Sequence, residues 1–291
     1  MVALKSMLLS ILLMFSGNER SEDLSLSAST PADIPIRKTL KINPDIVVDF
    51  IRWQLHMKDS NFELSLNYGE SQPNTLGFKP NSITVNIKGQ YSIAYNPAFK
   101  ADVLTLKSAQ LGTDLLLLKI TNNIYQILES NSTLMNGNGG WSYTLNNNNP
   151  QENGLSSLTF PQNDFTANQV TYDGRTPCKE FTSEYKIAVH SDCFKLKWRL
   201  VLNFDPVTHK PTTYSLQGIS GKAYDTSGKW TIIRGTTKNR NAIISKLNPD
   251  EEDHSISFLR ANGNILFFLD KKYDLFIGNK DFSYTLNQKI N

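Results

Sequence analysis

The side chains able to do chemistry are few and scattered. The four histidines, His56, His190, His209 and His254, stand alone, with no H-x-H or H-x-x-x-H pair that one strand or helix turn would bring onto a single metal. The two cysteines, Cys178 and Cys193, are too far apart for a C-x-x-C redox motif and too few for a structural zinc site. In an oxidising compartment they would form a disulfide, whose short loop adds about 3 kcal/mol; the alternative is a pair of free thiols. The acidic run Asp250-Glu251-Glu252-Asp253 before His254 lacks the alternating ligands and distal glutamate of a calcium loop, and reads as a solvated turn. There is no G-x-S-x-G elbow, no P-loop and no G-x-G-x-x-G. The run Gly137-Asn138-Gly139-Gly140 is a turn rather than a phosphate cradle. No catalytic residue, metal ligand or cofactor site is expected.

The whole-chain balance also narrows the options. The net charge is +3 over 291 residues, with no basic stripe interleaved with aromatics, so nucleic acid is not an expected partner. Residues 1–20 read as a secretory signal: Lys5 precedes an apolar run from Met7 to Phe15 that is too short to span a bilayer, although a buried helix is the other reading. Asn18 occupies the place where a lipoprotein signal would carry its acylated cysteine, so no lipid anchor is expected there. Ser16 to Thr30 is small, polar and loop-like. No other stretch has membrane-spanning length, so the exported protein is expected to have no transmembrane segment and to reside in the periplasm or cell envelope.

An internal repeat organises the rest. Asn123–Asn147 aligns with Asn264–Gln288 at a constant offset of 141, with 11 of 25 positions identical, including the run Ser142 to Asn146 over Ser283 to Asn287. The repeat motif is marked by Gly137, Asn138 and Tyr143 in one copy and by Gly278, Asn279 and Tyr284 in the other. Leu118-Lys119 lies over Leu259-Arg260. Further upstream, "GQYSI" (89–93) aligns with "GKWTI" (228–232), "FELSLNY" (62–68) with "WRLVLNF" (198–204), and "QPNTL" (72–76) with "KPTTY" (210–214). The shared order implies two copies of one domain.

Those segments alternate apolar and polar residues and are rich in β-branched and aromatic types, as half-buried strands are. "LLLLKITNNIYQIL" and "ISFLRANGNILFFL" each read as two strands, with turns at Thr121 to Asn123 and Asn262 to Asn264 suited to positive φ. "ESNSTLMNGNGG" and "DKKYDLFIGNKD" read as further hairpins. Two stretches read as helical: Asn43 to Leu55, with Asn43 as N-cap and Pro44 in the first turn, and a short piece between the cysteines. The expected fold is all-β: two tandem lipocalin-like antiparallel β-barrels, each with a short helix, over residues 36–148 and 166–291, joined by an asparagine-rich linker at 149–165. The matched aromatics Tyr91/Trp230 and Trp141/Phe282 read as core anchors, or else as the lining of a ligand cavity.

At "YDGRTPC" (172–178) the sequence resembles the NlpE family of envelope lipoproteins, whose domain opens with Y-x-G-x-x-P-C-x-x-C. Tyr172, Gly174, Pro177 and Cys178 fit that opening, Trp198 to Asn203 the next strand, Gly228-Lys229-Trp230 the middle, and Leu266 to Asp270 with Leu275 the close. Phe181 stands where the family's second cysteine falls, so a copper role resting on C-x-x-C is not carried over. The resemblance implies a small lipocalin-like barrel and a non-catalytic part in envelope-stress or surface-contact signalling. The expected function is therefore a binding or sensing module with an envelope protein as partner. The alternatives are a carrier of a small apolar ligand and a copper-tolerance protein; an enzyme ranks last.

Overall fold

The computed structural model describes residues 23–161, 167–218 and 224–289, so the expected signal peptide and Asn18 lie outside the described residues. Sixteen strands form two closed barrels in chain order. The first comprises Leu24–Thr30 (β1), Phe50–Lys58 (β2), Asn61–Gly69 (β3), Ile83–Asn96 (β4), Ala101–Lys107 (β5), Leu115–Lys119 (β6), Ile124–Leu128 (β7) and Thr144–Asn147 (β8). The second comprises Gln169–Thr176 (β9), Leu196–Phe204 (β10), Pro211–Gly218 (β11), Tyr224–Arg234 (β12), Ile243–Leu247 (β13), Ile256–Ala261 (β14), Ile265–Leu269 (β15) and Thr285–Gln288 (β16). All pairings are antiparallel between neighbours; β8 closes on β1 at Leu26↔Asn147, and β16 on β9 at Leu286↔Gly174. A short helix follows the first strand of each barrel, Ile34–Thr39 (α1) and Lys179–Glu184 (α2), and places Ile36 or Phe181 in the core.

The expectation of two antiparallel barrels with short helices thus holds, while three of its details are corrected. The helix expected over Asn43 to Leu55 is a turn followed by β2; Ile51, Trp53, Leu55 and Met57 point inward, while Arg52, Gln54 and His56 point outward. The apolar positions there suit either period, and pairing with β1 and β3 selects the strand. The loop expected up to Thr30 contains β1, so the first barrel begins at Leu24, upstream of residue 36. The two further hairpins are tight turns closed by single bridges, Leu128↔Leu134 and Leu269↔Leu275.

The spatial repeat also corrects part of the alignment. "FELSLNY" forms β3, the third strand of its barrel, whereas "WRLVLNF" lies in β10, the second strand of the other. The counterpart of Trp198 is Trp53, and each indole donates to a threonine on the preceding strand, Thr30 at 2.8 Å and Thr176 at 2.9 Å. "QPNTL" lies in the β3–β4 loop, whereas "KPTTY" runs into β11. The match of "GQYSI" in β4 with "GKWTI" in β12 keeps the same strand position.

Three apolar cores result. Two fill the barrel lumens: Trp53, Phe62 and Tyr143 are among the residues packed into the first, and Phe181, Trp198, Phe258, Phe268 and Tyr284 into the second. In the second lumen, Phe181 meets Trp198 edge-on at 4.9 Å and Phe268 at 5.4 Å, and Phe268 meets Phe258 at 4.6 Å. The third core lies between the barrels, where Leu118, Ile124 and Leu128 meet Ile244, Leu259, Ile265, Phe267 and Leu269. Strands buried on both faces have no solvent side to keep polar, which accounts for the continuous apolar runs "LLLL" and "ILFFL".

The linker joins this third core. Leu158 and Phe160 are buried in it. Thr159 N–H donates to Phe99 O (2.8 Å) in the first barrel, and Ser156 N–H to Lys238 O (2.9 Å) in the second. The barrels are therefore held together by packing as well as by the chain.

Candidate functional site

The residues marked by the repeat converge on one place, the seam where β8 and β16 face each other. Along each closing strand the side chains alternate. Tyr143 and Leu145 point into the first lumen, and Tyr284 and Leu286 into the second. The other face carries Ser142, Thr144, Ser283 and Thr285, all buried. There each hydroxyl meets its own copy: Ser142 Oγ lies 2.5 Å from Ser283 Oγ, and Thr144 Oγ1 lies 3.3 Å from Thr285 Oγ1. A local two-fold arrangement relates the two copies of the motif.

The glycines and asparagines follow the same exchange. Gly137 N–H donates to Asn287 Oδ1, and Gly278 N–H to Asn146 Oδ1, both at 2.8 Å. Either glycine could carry a side chain only by driving it into backbone, because a Cβ on Gly278 would lie 2.4 Å from Phe282 O and 2.6 Å from Ser283 Cα. Asn138 and Asn279 each fold the following turn by accepting from two backbone N–H groups, at 2.9 and 3.0 Å in both copies. Asn146 and Asn287 were not singled out from sequence. The available signal was an asparagine kept at the same strand position in both copies, where asparagine is otherwise disfavoured.

The two tyrosines tie each closing strand to its helix. Tyr143 Oη donates to Asp33 Oδ2 (2.9 Å) at the N-cap of α1, and Tyr284 Oη to Glu180 Oε2 (2.8 Å) in the first turn of α2. Burial, reinforced by the neighbouring carboxylate, pushes both phenols well above the ordinary tyrosine range, so they stay protonated donors. In "YDGRTPC", Tyr172 Oη donates to Gly263 O at 2.6 Å, and Gly174 leaves room for β16, since a Cβ there would lie 2.6 Å from Thr285 O. These positions close the barrel.

Cys178 and Cys193 are disulfide-bonded, with Cα atoms 6.0 Å apart, fastening the start of α2 to the loop before β10. Replacing both with alanine should cost about 3 kcal/mol of stability, read as a lower urea midpoint. Equal midpoints for the variant and the oxidised protein would show that the link adds nothing.

The histidines remain apart. His56 lies on β2 near Asp23, His190 pairs with Asp192, His209 occupies the β10–β11 turn and His254 a short 3₁₀ turn. Among the described residues no three His, Cys, Asp or Glu side chains are grouped to hold a metal ion, and no helix is long and apolar enough to cross a membrane. On the outer wall of the first barrel, Ser25, Gln54, His56, Glu63, Lys88 and Lys280 help line an open groove of about 670 Å³, crossed by the Glu63–Lys88 ion pair. The seam hydroxyls bond to one another, and Thr144 Oγ1 also donates to Gln126 Oε1 at 2.8 Å. In comparisons with known proteins, no family model, no curated protein and no solved structure matches this chain.

Proposed function

We propose that the protein is an exported, non-catalytic module of the cell envelope, of NlpE-like type, that binds or senses a partner through its outer surfaces. The observation that carries this reading is the filling of both lumens by aromatic and aliphatic side chains, with a packed seam between the barrels. A lipocalin-like carrier needs an open lumen, so the carrier reading is disfavoured. The Cys178–Cys193 bond suits an oxidising compartment and leaves neither thiolate for copper.

Three measurements test the proposal together. Cell fractionation should place the protein in the periplasm or envelope, with both cysteines blocked to alkylation until reduced. Purified protein should show no turnover on a panel of esters, phosphate esters and glycosides. Copper should bind the wild type no better than a variant lacking both cysteines. Cytoplasmic protein with free thiols, robust turnover, or stoichiometric copper binding lost with Cys178 would each overturn it.

A further inference from the structure

The two ends of the seam are equivalent in backbone and opposite in charge balance. At one end the turn after Asn279 presents Asp281, whose carboxylate is 2.5 Å from the Arg52 guanidinium. Arg52 lies on β2 directly across from Ser29 on β1. At the other end the same turn follows Asn138, with the same pair of N–H bonds to its asparagine, but Gly140 stands where Asp281 stands. The facing cross-strand pair, corresponding to Ser29 and Arg52, is Arg175 and Lys197. One charge-neutral pair is thus replaced by two cations and no carboxylate.

The local chemistry leaves that end open to an anion. Arg175 lies with its guanidinium carbon 5.1 Å from the Trp141 ring centre, and Trp141 in turn stacks on Phe50 at 4.9 Å. Stacking uses the face of a guanidinium and leaves its in-plane N–H donors free. Among the described residues none of them meets a carboxylate or carbonyl. The nearby acid on the same strand, Asp173, is held by Arg199 through two bonds of 2.9 and 3.0 Å. Lys195, just ahead of β10 and two residues from Lys197, has its Nζ 5.0 Å from the Phe194 ring centre and holds its proton less firmly than an ordinary lysine, through partial burial and then the charges of Arg175 and Lys197. Like charges gathered beside an aromatic platform raise the local potential, and a multivalent anion would relieve it. A Cβ on Gly140 would sit 3.2 Å from Asn138 Oδ1 and 3.6 Å from the Arg175 guanidinium carbon, so a carboxylate carried at this position would meet the guanidinium.

We propose that Arg175 and Lys197, beside Trp141 at the Gly140 end of the seam, form a binding site for a phosphate group, either free or on a lipid headgroup. The test uses the purified full chain at low ionic strength. Inorganic phosphate is titrated by calorimetry, and vesicles of phosphatidylglycerol are compared with vesicles of phosphatidylcholine by co-sedimentation. Arg175→Gln should weaken binding by about tenfold or more, the factor carried by a charge-assisted contact. Gly140→Asp should do the same by supplying the carboxylate internally, and the identical turn around Asp281 shows that the backbone accepts it. Lys88→Gln, on the wall of the first barrel, should bind as wild type does. Melting curves establish that each variant is folded. Saturable phosphate binding without vesicle binding identifies a free anion, and binding to phosphatidylglycerol alone a headgroup; either supports the site if both seam variants lose it. Absence of binding to both probes, or binding retained in folded Gly140→Asp and Arg175→Gln, overturns it.

Discussion

Gly278→Ala is expected to destabilise the protein by about 3 kcal/mol, and Gly137→Ala by a similar amount. Both methyl groups would collide with backbone rather than with the end of a flexible side chain. On Gly137 the Cβ would lie 2.3 Å from Trp141 O and 2.8 Å from Ser142 Cα, with the Asn287 amide carbon 2.9 Å away. Relief requires either opening the turn, which the Asn138 or Asn279 bonds hold, or moving the opposite barrel. Movement of the barrel would break the Gly–Asn exchange and part the hydroxyl pairs at the centre of the seam. Asn146→Ala and Asn287→Ala isolate the second contribution. Each leaves a glycine N–H, buried at Gly137 and half-buried at Gly278, without its acceptor and should cost about 1–3 kcal/mol. The pair should deviate from additivity because both bonds cross one interface. Urea unfolding followed by tryptophan fluorescence reads all of these changes. A wild-type protein welded through the third core should unfold in one transition, and a Gly278→Ala midpoint equal to wild type would refute the seam geometry.

The parts legible in the sequence were those whose partners lie nearby in the chain or in the other copy. β6, β7, β14 and β15 declared themselves as apolar runs joined by tight turns, and the second turn uses Asn262 and Gly263 at φ 47° and 84° as expected. The first turn is closed differently, by Asn123 N–H donating to Thr121 Oγ1. β1 was illegible because its polar residues are buried by distant contacts. Ser29 Oγ donates to Lys280 O across the seam, and Ser27 Oγ to Asn148, so serines that suggested a loop face protein instead of water. Reading β2 as a helix removed a strand from the first copy, and the upstream alignment then matched strand three to strand two. The recurring tryptophan, Trp53 and Trp198, with its threonine partner would have restored the register.

The motif residues were visible as a repetition but their role was not, since identity between two copies does not say whether the copies touch. Alternation along Ser142 to Asn146 separates Tyr143 and Leu145 on one face from Ser142 and Thr144 on the other. Only the closed topology shows that the other face is buried too, against its own duplicate. That same constraint explains why Gly140 and Asp281, which differ, are informative. In a seam whose backbone is otherwise matched, a difference in charge alters the surface without altering the fold.

Tyr284→Ala should lower stability by about 3–5 kcal/mol, the range for removing a fully packed aromatic ring. The ring is buried in the second lumen, 5.0 Å from Phe276 and 6.4 Å from Phe268, and β16 is only four residues long. Losing the ring therefore weakens both the core and the strand that closes the barrel on β9. Tyr284→Phe keeps the ring and loses the bond to Glu180, a solvent-exposed residue that water can satisfy, together with weaker contacts to the Glu180 and Phe181 backbone N–H groups, so its cost should be about 1 kcal/mol. Tyr143→Phe should cost about the same, about 1 kcal/mol. The Tyr143 hydroxyl donates to Asp33 Oδ2 and also accepts from Asp33 N–H at 3.3 Å, so its loss disturbs the N-cap of α1 as well. Urea midpoints with unchanged slopes give the three values. If Tyr284→Ala stayed within about 1 kcal/mol of wild type, the lumen would not be packed around this ring. Phenylalanine variants that both unfold at the wild-type midpoint would instead show that the closing strands are held by ring packing alone, with no contribution from the helix carboxylates.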